Sequence, residues 1–256
     1  MSETQQGQRP ELTVDGHVAV ITLRRPEMAN RLEPEDLDLM RSYLETVNAD
    51  SQIRVLRLEG QGRHFCSGFN IGRLGAADVG ARFEALANAL EQARPVTIAV
   101  LHGGVYGGAT DLALACDFRF GAAAAEMSVP AARLGLLFYR GGMERYVTRL
   151  GLATAKRILL MADRFDAPAM LACGYLDRLE DSPETLRALA ERWSGDLAAM
   201  APLGLLGMKK HMNRIARGEL DASELAQDIA VADASDDLRE GALAWREKRA
   251  PRFTGR

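Results

Sequence analysis

Apolar positions recur along this chain with two different periods, and the change between them divides it. Residues 11–23 place Val, Ile, Leu and Thr on either side of Asp15-Gly16, a pair suited to the tight turn of a β-hairpin. Arg25-Pro26 breaks the second strand, and Pro34 suits the first turn of a helix. Leu37, Met40, Leu44 and Val47 follow at helical spacing, which predicts an amphipathic helix over 34–48. Ile53–Leu58 reads as a short buried strand and Gly60–Gly72 as a loop. Val79, Phe83, Leu86 and Leu90 mark the next helix, which should end before Pro95. Val96–Leu101 is a strand, Leu112–Cys116 a short helix, and residues 117–120 and 127–129 short strands. From Gly141 helical patterns dominate, at 143–162, 167–173, 182–200, 203–217, 221–234 and 236–248, with one last short strand at 176–179. Strands alternating with helices, then helices alone, predict an α/β fold: a layered core over 11–200 and a helical appendage over 201–256. Pro202 and the turn near Gly218 are candidate boundaries for the appendage, and residues 1–10 are expected to be a disordered tail.

Composition narrows the function classes. The net charge of -3 over 256 residues, with Lys and Arg scattered until a cluster near the C-terminus, gives no reason to expect nucleic acid. Three cysteines, far apart, suit small buried hydrophobes in a reducing compartment. Four histidines with no H-x-x-x-H pair make a metal site unexpected. Met1–Arg9 lacks the apolar core of a signal peptide, and no apolar run approaches a membrane span. A cytoplasmic protein with no membrane partner is the expectation.

The stretch Gly103-Gly104-Val105-Tyr106-Gly107-Gly108-Ala109-Thr110-Asp111 carries the candidate chemistry. It reads as strand, glycine-rich turn, helix. A helix N-terminus presents unpaired N–H groups and favours negative charge, and glycines allow close approach to the backbone. The turn suits an anion or an oxyanion, with Asp111 about one helical turn inside. No Lys follows the glycines, so it is not a phosphate loop of the G-x-x-x-x-G-K-[ST] kind.

A second loop, His64-Phe65-Cys66-Ser67-Gly68-Phe69-Asn70-Ile71, follows a strand and a Gly60-x-Gly62 turn. Together they resemble the enoyl-CoA hydratase/isomerase (crotonase) superfamily. The run Gly103–Asp117 resembles that family's G-x-x-x-G-G-x-x-[ED]-L-x-x-x-C-D signature, and Arg24-Arg25-Pro26 with Asn30 resembles its R-P-x-x-x-N turn. Pro130, Leu134-Gly135 and Gly141-Gly142 resemble a third segment, and Glu240-Gly241 through Arg249 a final helix. The resemblance implies a spiral of β-β-α units with a C-terminal helical trimerisation region, trimers or hexamers, and coenzyme A thioester substrates with no permanently bound cofactor. It also implies a two-amide oxyanion hole, here the N–H groups of Phe69 and Gly108. By the same resemblance, coenzyme A would lie along Met28, Ala29, Asn70 and Ile71, and Lys248 would approach its phosphates. A basic helix end is also expected from the helix dipole alone.

The chain departs from the hydratase pattern in its acid–base groups. Of the two glutamates typical of that family, the first position holds Asp111 and the second Ala131. Paired carboxylates divide acid and base roles only when both exist, so two-glutamate hydration is not expected. Tyr139 is a candidate to hold or donate a proton, or an amphipathic wall residue with a satisfied hydroxyl. Asp111 is a candidate for proton transfer or positioning, or a simple helix cap. Arg140 reads as a surface contact in preference to a substrate carboxylate partner. Cys66 and Ser67 have no evident histidine partner for nucleophilic chemistry, and His102 is expected to be a satisfied core or edge residue. Lyase, isomerase, decarboxylase and hydrolase chemistry all remain open, as does a non-catalytic acyl-CoA-binding member of the same family.

Overall fold

The computed structural model describes residues 7–70, 72 and 78–256. Nine strands and nine helices in this part of the chain follow in order. They are β1 (Glu11–Asp15), β2 (Val18–Leu23), α1 (Pro34–Ala49), β3 (Val55–Gly60), α2 (Val79–Glu91), β4 (Val96–Leu101), β5 (Val105–Tyr106) and α3 (Gly108–Ala115). Next come β6 (Phe118–Ala122), β7 (Glu126–Ser128), α4 (Arg140–Lys156), β8 (Phe165–Asp166), α5 (Ala167–Ala172) and β9 (Arg178–Glu180). Helices α6 (Pro183–Ala198), α7 (Pro202–Arg217), α8 (Ala222–Asp233) and α9 (Asp236–Glu247) complete the chain.

A six-stranded sheet runs in the order β1-β2-β3-β4-β6-β9, antiparallel at the hairpin and parallel thereafter. Every residue of β4 is buried, as a parallel strand covered on both faces requires. Its alternate side chains sort by face. Ala99 and Leu101 join Leu56, Leu58, Ile21 and Leu23 in the main core with α1 to α4, while Val96, Ile98 and Val100 pack with Leu186 and Leu189 of α6. A second sheet, β5-β7-β8, caps one end.

The turn after β2 is fixed by buried polar pairing. The Arg25 guanidinium meets the fully buried Asp36 carboxylate through Nη1 and Nη2, and Asp36 also caps α1 by accepting from Glu33 N–H at 2.8 Å. Gln8 N–H bonds to Arg24 O at 3.2 Å, and the Tyr43 hydroxyl donates to Pro10 O at 3.1 Å, tying residues 8 and 10 to the chain just after β2 and to α1.

Several sequence expectations shift. β3 lies two residues later than expected, and β9 begins only at Arg178 because the N–H groups of Tyr175 and Leu176 both turn back to Met170 O at the end of α5. The helix expected at 112–116 begins at Gly108. The single helix expected over 143–162 begins at Arg140, kinks at Gly151 (φ +77°) and ends in a π turn over Arg157–Met161. Strands β5 and β8, of two residues each, were too short to leave a period in the sequence.

Candidate active site

Strands β3 and β4 are parallel neighbours, so the chain leaves both at the same edge of the sheet. The loop after β3 and the glycine-rich turn after β4 therefore emerge side by side. They pair there: Cys66 and Val105 form a parallel bridge, with Cys66 N–H donating to Gly104 O (3.3 Å) and Tyr106 N–H to Cys66 O (2.9 Å). Three residues past each bridge partner stand Phe69 and Gly108. Gly68 O accepts from Leu32 N–H and Asn70 N–H donates to Leu32 O, which turns the intervening Phe69 N–H the other way. Gly108 is the first residue of α3, where the N–H has no intrahelical acceptor. Among the described residues neither amide donates a hydrogen bond.

Glycine is required where the loops touch. Gly68 has φ +92°, and a Cβ there would stand 2.7 Å from Tyr106 O and 3.3 Å from Gly108 N. At Gly108 a Cβ would sit 2.6 Å from Cζ of Phe83. That ring lies 6.4 Å from the Phe69 ring and 5.9 Å from the Tyr139 ring, so three aromatic residues gather beside the two amides.

The turn bearing Met28 and Ala29 is bound to the same loop. Ser67 N–H donates to Ala29 O (2.8 Å) and the Ser67 hydroxyl to Met28 O (3.4 Å). The Asn30 amide donates to Gln61 O (2.7 Å) and His64 O (2.9 Å), and its oxygen accepts from Arg25 N–H (2.8 Å). Asn70 is anchored by its amide to the Glu33 carboxylate (2.8 Å). The structure thus brings Met28, Ala29, Phe69, Asn70 and Gly108 together. Ile71 lies outside the described residues. Lys248 stands in left-handed conformation at the C-cap of α9, and among the described residues no hydrogen bond links it to either loop.

Asp111 and Tyr139 meet. The Tyr139 hydroxyl donates to Asp111 Oδ2 at 2.5 Å. Asp111 is fully buried and is also gripped by a residue that the sequence reading missed: Arg145, equally buried, donates from Nε to Oδ1 (2.9 Å) and from Nη2 to Oδ2 (2.6 Å). Its remaining arm, Nη1, reaches Asn88 Oδ1 (2.8 Å) and Glu91 Oε2 (3.2 Å). Glu91 in turn pairs with Arg149 and with Arg217 of α7, and Arg217 also pairs with Glu144. With Arg140, which also pairs with Glu144, four guanidinium groups meet three carboxylates. Burial, with the charge of Asp111 and the bond to it, pushes the Tyr139 phenol well above its ordinary range, against the pull of Arg145. Burial lowers the Arg145 guanidinium, but the Asp111 bonds and the charges of Asp111 and Glu91 outweigh it and leave the group above its usual value.

Other candidates fall outside this cluster. Burial pushes the Cys66 thiol up to about 12, far from a thiolate nucleophile, and its Sγ faces Asn30 O at 3.1 Å. Arg140 is exposed and pairs with Glu144. His102, expected to be satisfied, leaves Nε2 without a hydrogen-bond partner among the described residues, and burial lowers its pKa. A cavity of about 830 Å³ lies elsewhere, between the end of α2 and α7, where Glu91 and Arg217 reach its wall but none of Phe69, Gly108, Asp111 and Tyr139 does.

Adjoining loops at the carboxyl edge of a parallel sheet, two unpaired amides and a buried carboxylate–phenol pair define an α/β enzyme. The family model for enoyl-CoA hydratase/isomerase matches residues 13–256. The probable enoyl-CoA hydratase EchA8 of Mycobacterium tuberculosis is 30% identical over 251 residues, covering 94% of this chain and 96% of its own. The crystal structure of Pseudomonas aeruginosa DspI is 30% identical and superposes with a TM-score of 0.89, covering 96% of this chain and 97% of its own. A Bacillus anthracis enoyl-CoA hydratase, 25% identical, gives 0.88 over 97% of this chain and 100% of its own. The chain belongs to the enoyl-CoA hydratase/isomerase family and has the crotonase fold. Among the described residues no helix is long and apolar enough to cross a membrane.

Proposed function

We propose that this enzyme acts on acyl-CoA thioesters in the cytoplasm, holding the thioester oxygen between the N–H groups of Phe69 and Gly108. The observation that carries the reading is the parallel pairing of the two turns, which leaves both amides unpaired beside one another. A thioester carbonyl gains negative charge when its α-carbon loses a bond, and fixed donors hold that charge without reorganising. One such donor is worth roughly 2.7–4 kcal/mol in a comparable site. Coenzyme A would run past Met28, Ala29, Asn70 and Ile71, with Lys248 toward its phosphates. Tyr139 supplies the proton at the edge of the hole, with Asp111 as its partner.

Ala131 bears no ionisable group, so hydration by two carboxylates is disfavoured. Decarboxylation suits the remaining groups, because carbon–carbon cleavage delivers the enolate without a base. Assembly as a trimer or hexamer is supported by large apolar side chains exposed on the C-terminal helices, among them Met208, Met212 and Ile215 of α7 and Trp245 of α9.

The hole is tested by ¹³C NMR of [1-¹³C]butyryl-CoA bound to the enzyme. Polarisation by two donors moves the carbonyl signal downfield of the free thioester. A bound thioester whose carbonyl signal stays at the free position overturns the reading.

A further inference from the structure

We propose that Arg145 is the positioning residue of this site: by occupying both oxygens of Asp111 it makes that carboxylate the fixed anchor of Tyr139 and leaves the Tyr139 hydroxyl as the group that moves the proton. The inference rests on the acyl-thioester reading above, and it decides between the two roles open to Asp111.

The geometry is specific. Asp111 Oδ2 accepts from both Tyr139 and Arg145 Nη2, and Oδ1 accepts from Arg145 Nε. A planar guanidinium spans a carboxylate with two parallel donors, which a lysine ammonium does not reproduce. Asp111 has no exposed surface, whereas Tyr139 is only half-buried and its ring lies against Phe83 beside the amides. Of the pair, only Tyr139 therefore has surface that a substrate can touch. Arg145 is itself immobilised, since its third arm holds Asn88 and Glu91, and Glu91 is tied to Arg149 and Arg217.

The proton step balances without an added reagent. The enolate α-carbon takes the Tyr139 proton, so a C–H bond forms as the O–H bond breaks. The negative charge passes to the phenol oxygen, near Arg145, and water returns the proton. In reverse, the phenolate removes an α-proton. The charged and titratable groups facing Tyr139 are Asp111 from α3, and Arg145 and Tyr146 from α4. From α2, Glu84 bonds to the nearby Gly141 N–H and Asn88 to Arg145.

The test measures α-proton exchange of butyryl-CoA in D₂O from pD 6 to 10 with the full-length enzyme. A phenolate base present in small fraction gives a rate that rises about tenfold per unit of pD. Tyr139→Phe should lose at least 100-fold, whereas Asp111→Asn, which removes the charge that holds the phenol up, should keep the exchange and move its rise to lower pD. Arg145→Lys should lower the rate about 10-fold at each pD with KM within twofold. A flat profile abolished by Asp111→Asn makes Asp111 the base and overturns the proposal.

A second readout needs no turnover. The chain has five tyrosines, so ¹³Cζ-tyrosine labelling with Tyr139→Phe identifies the residue 139 signal. That signal should move in both Arg145→Lys and Asp111→Asn, and a signal unmoved in Arg145→Lys overturns the positioning role. Should Arg145→Lys fail to fold, the isosteric Asp111→Asn and its pD profile decide. The butyryl-CoA carbonyl signal reports on the oxyanion hole alone, so failure of that reading and failure of this one are told apart.

Discussion

Replacing Gly68 by alanine separates the two proposed oxyanion donors without touching an ionisable group. A Cβ at this position would lie 2.7 Å from Tyr106 O, about 0.7 Å inside the 3.4 Å at which ordinary contact begins. Because the obstacle is backbone on a loop pinned by the Cys66–Val105 bridge, no side chain can rotate away to relieve it. The φ of +92° adds left-handed strain, on the order of 1–2 kcal/mol for a residue with a Cβ. Shifting the loop by a large fraction of an ångström misaligns Phe69 N–H against Gly108 N–H, and a misplacement of about 1 Å can cost ~10²-fold in rate. Gly68→Ala is therefore expected to lose roughly 10²-fold in butyryl-CoA α-proton exchange. Its bound [1-¹³C] carbonyl signal should return toward the free position. Stability should fall by only about 2 kcal/mol, a Tm decrease of roughly 4–8 °C for a domain of this size. Wild-type exchange and an unchanged carbonyl signal in a folded Gly68→Ala enzyme would refute the placement of the hole between these loops.

Arg145→Met should destabilise the protein by roughly 3–5 kcal/mol in urea unfolding, because Asp111 is left buried without its counter-charge. Tyr139, Tyr146 and Tyr175 all have phenols raised by burial, first of all causes. Above about pH 10 the unfolded chain releases these protons while the folded chain keeps them. Unfolding free energy should then fall with rising pH, by up to ~1.4 kcal/mol per pH unit for each phenol, and chemical denaturation at pH 9 to 11 measures it. Thiol-specific labelling of the folded protein should begin at the partly exposed Cys173 and leave Cys66 and Cys116 protected, since burial pushes both of the latter to about 12. Met212→Lys combined with Trp245→Lys should shift sedimentation velocity toward the monomer, as each side chain is largely exposed on a C-terminal helix.

Much of the fold was legible because periodicity records burial. The Asp15-Gly16 turn, the apolar run of β4 and the spacing of Leu37, Met40, Leu44 and Val47 each have one good physical solution. The two-residue strands β5 and β8 were not legible, since two residues carry no period. Gly151 lay inside an apparently continuous helical pattern, and its positive φ is a property of the fold, not of its neighbours in sequence. At the site, the pairing of Phe69 with Gly108 could be expected from motif order, but the partners of Asp111 could not. Arg145 sits in a helix beside Arg149 and one position before Tyr146, a pattern indistinguishable from an amphipathic surface. That Arg145 points inward depends on α2, α3 and α4 meeting, a contact between segments more than thirty residues apart in the chain.

The interlocked charges at positions 91, 111, 144, 145, 149 and 217 also constrain how such a protein can drift. Asp111 and Arg145 in particular cannot be exchanged alone, because Arg145 is the one guanidinium paired with Asp111 among the described residues. Viable descendants should therefore change in complementary pairs, a cation lost together with an acid. Relatives lacking an arginine equivalent to Arg145 would then be expected to carry a neutral residue in place of Asp111, since Glu91 keeps Arg149 and Arg217.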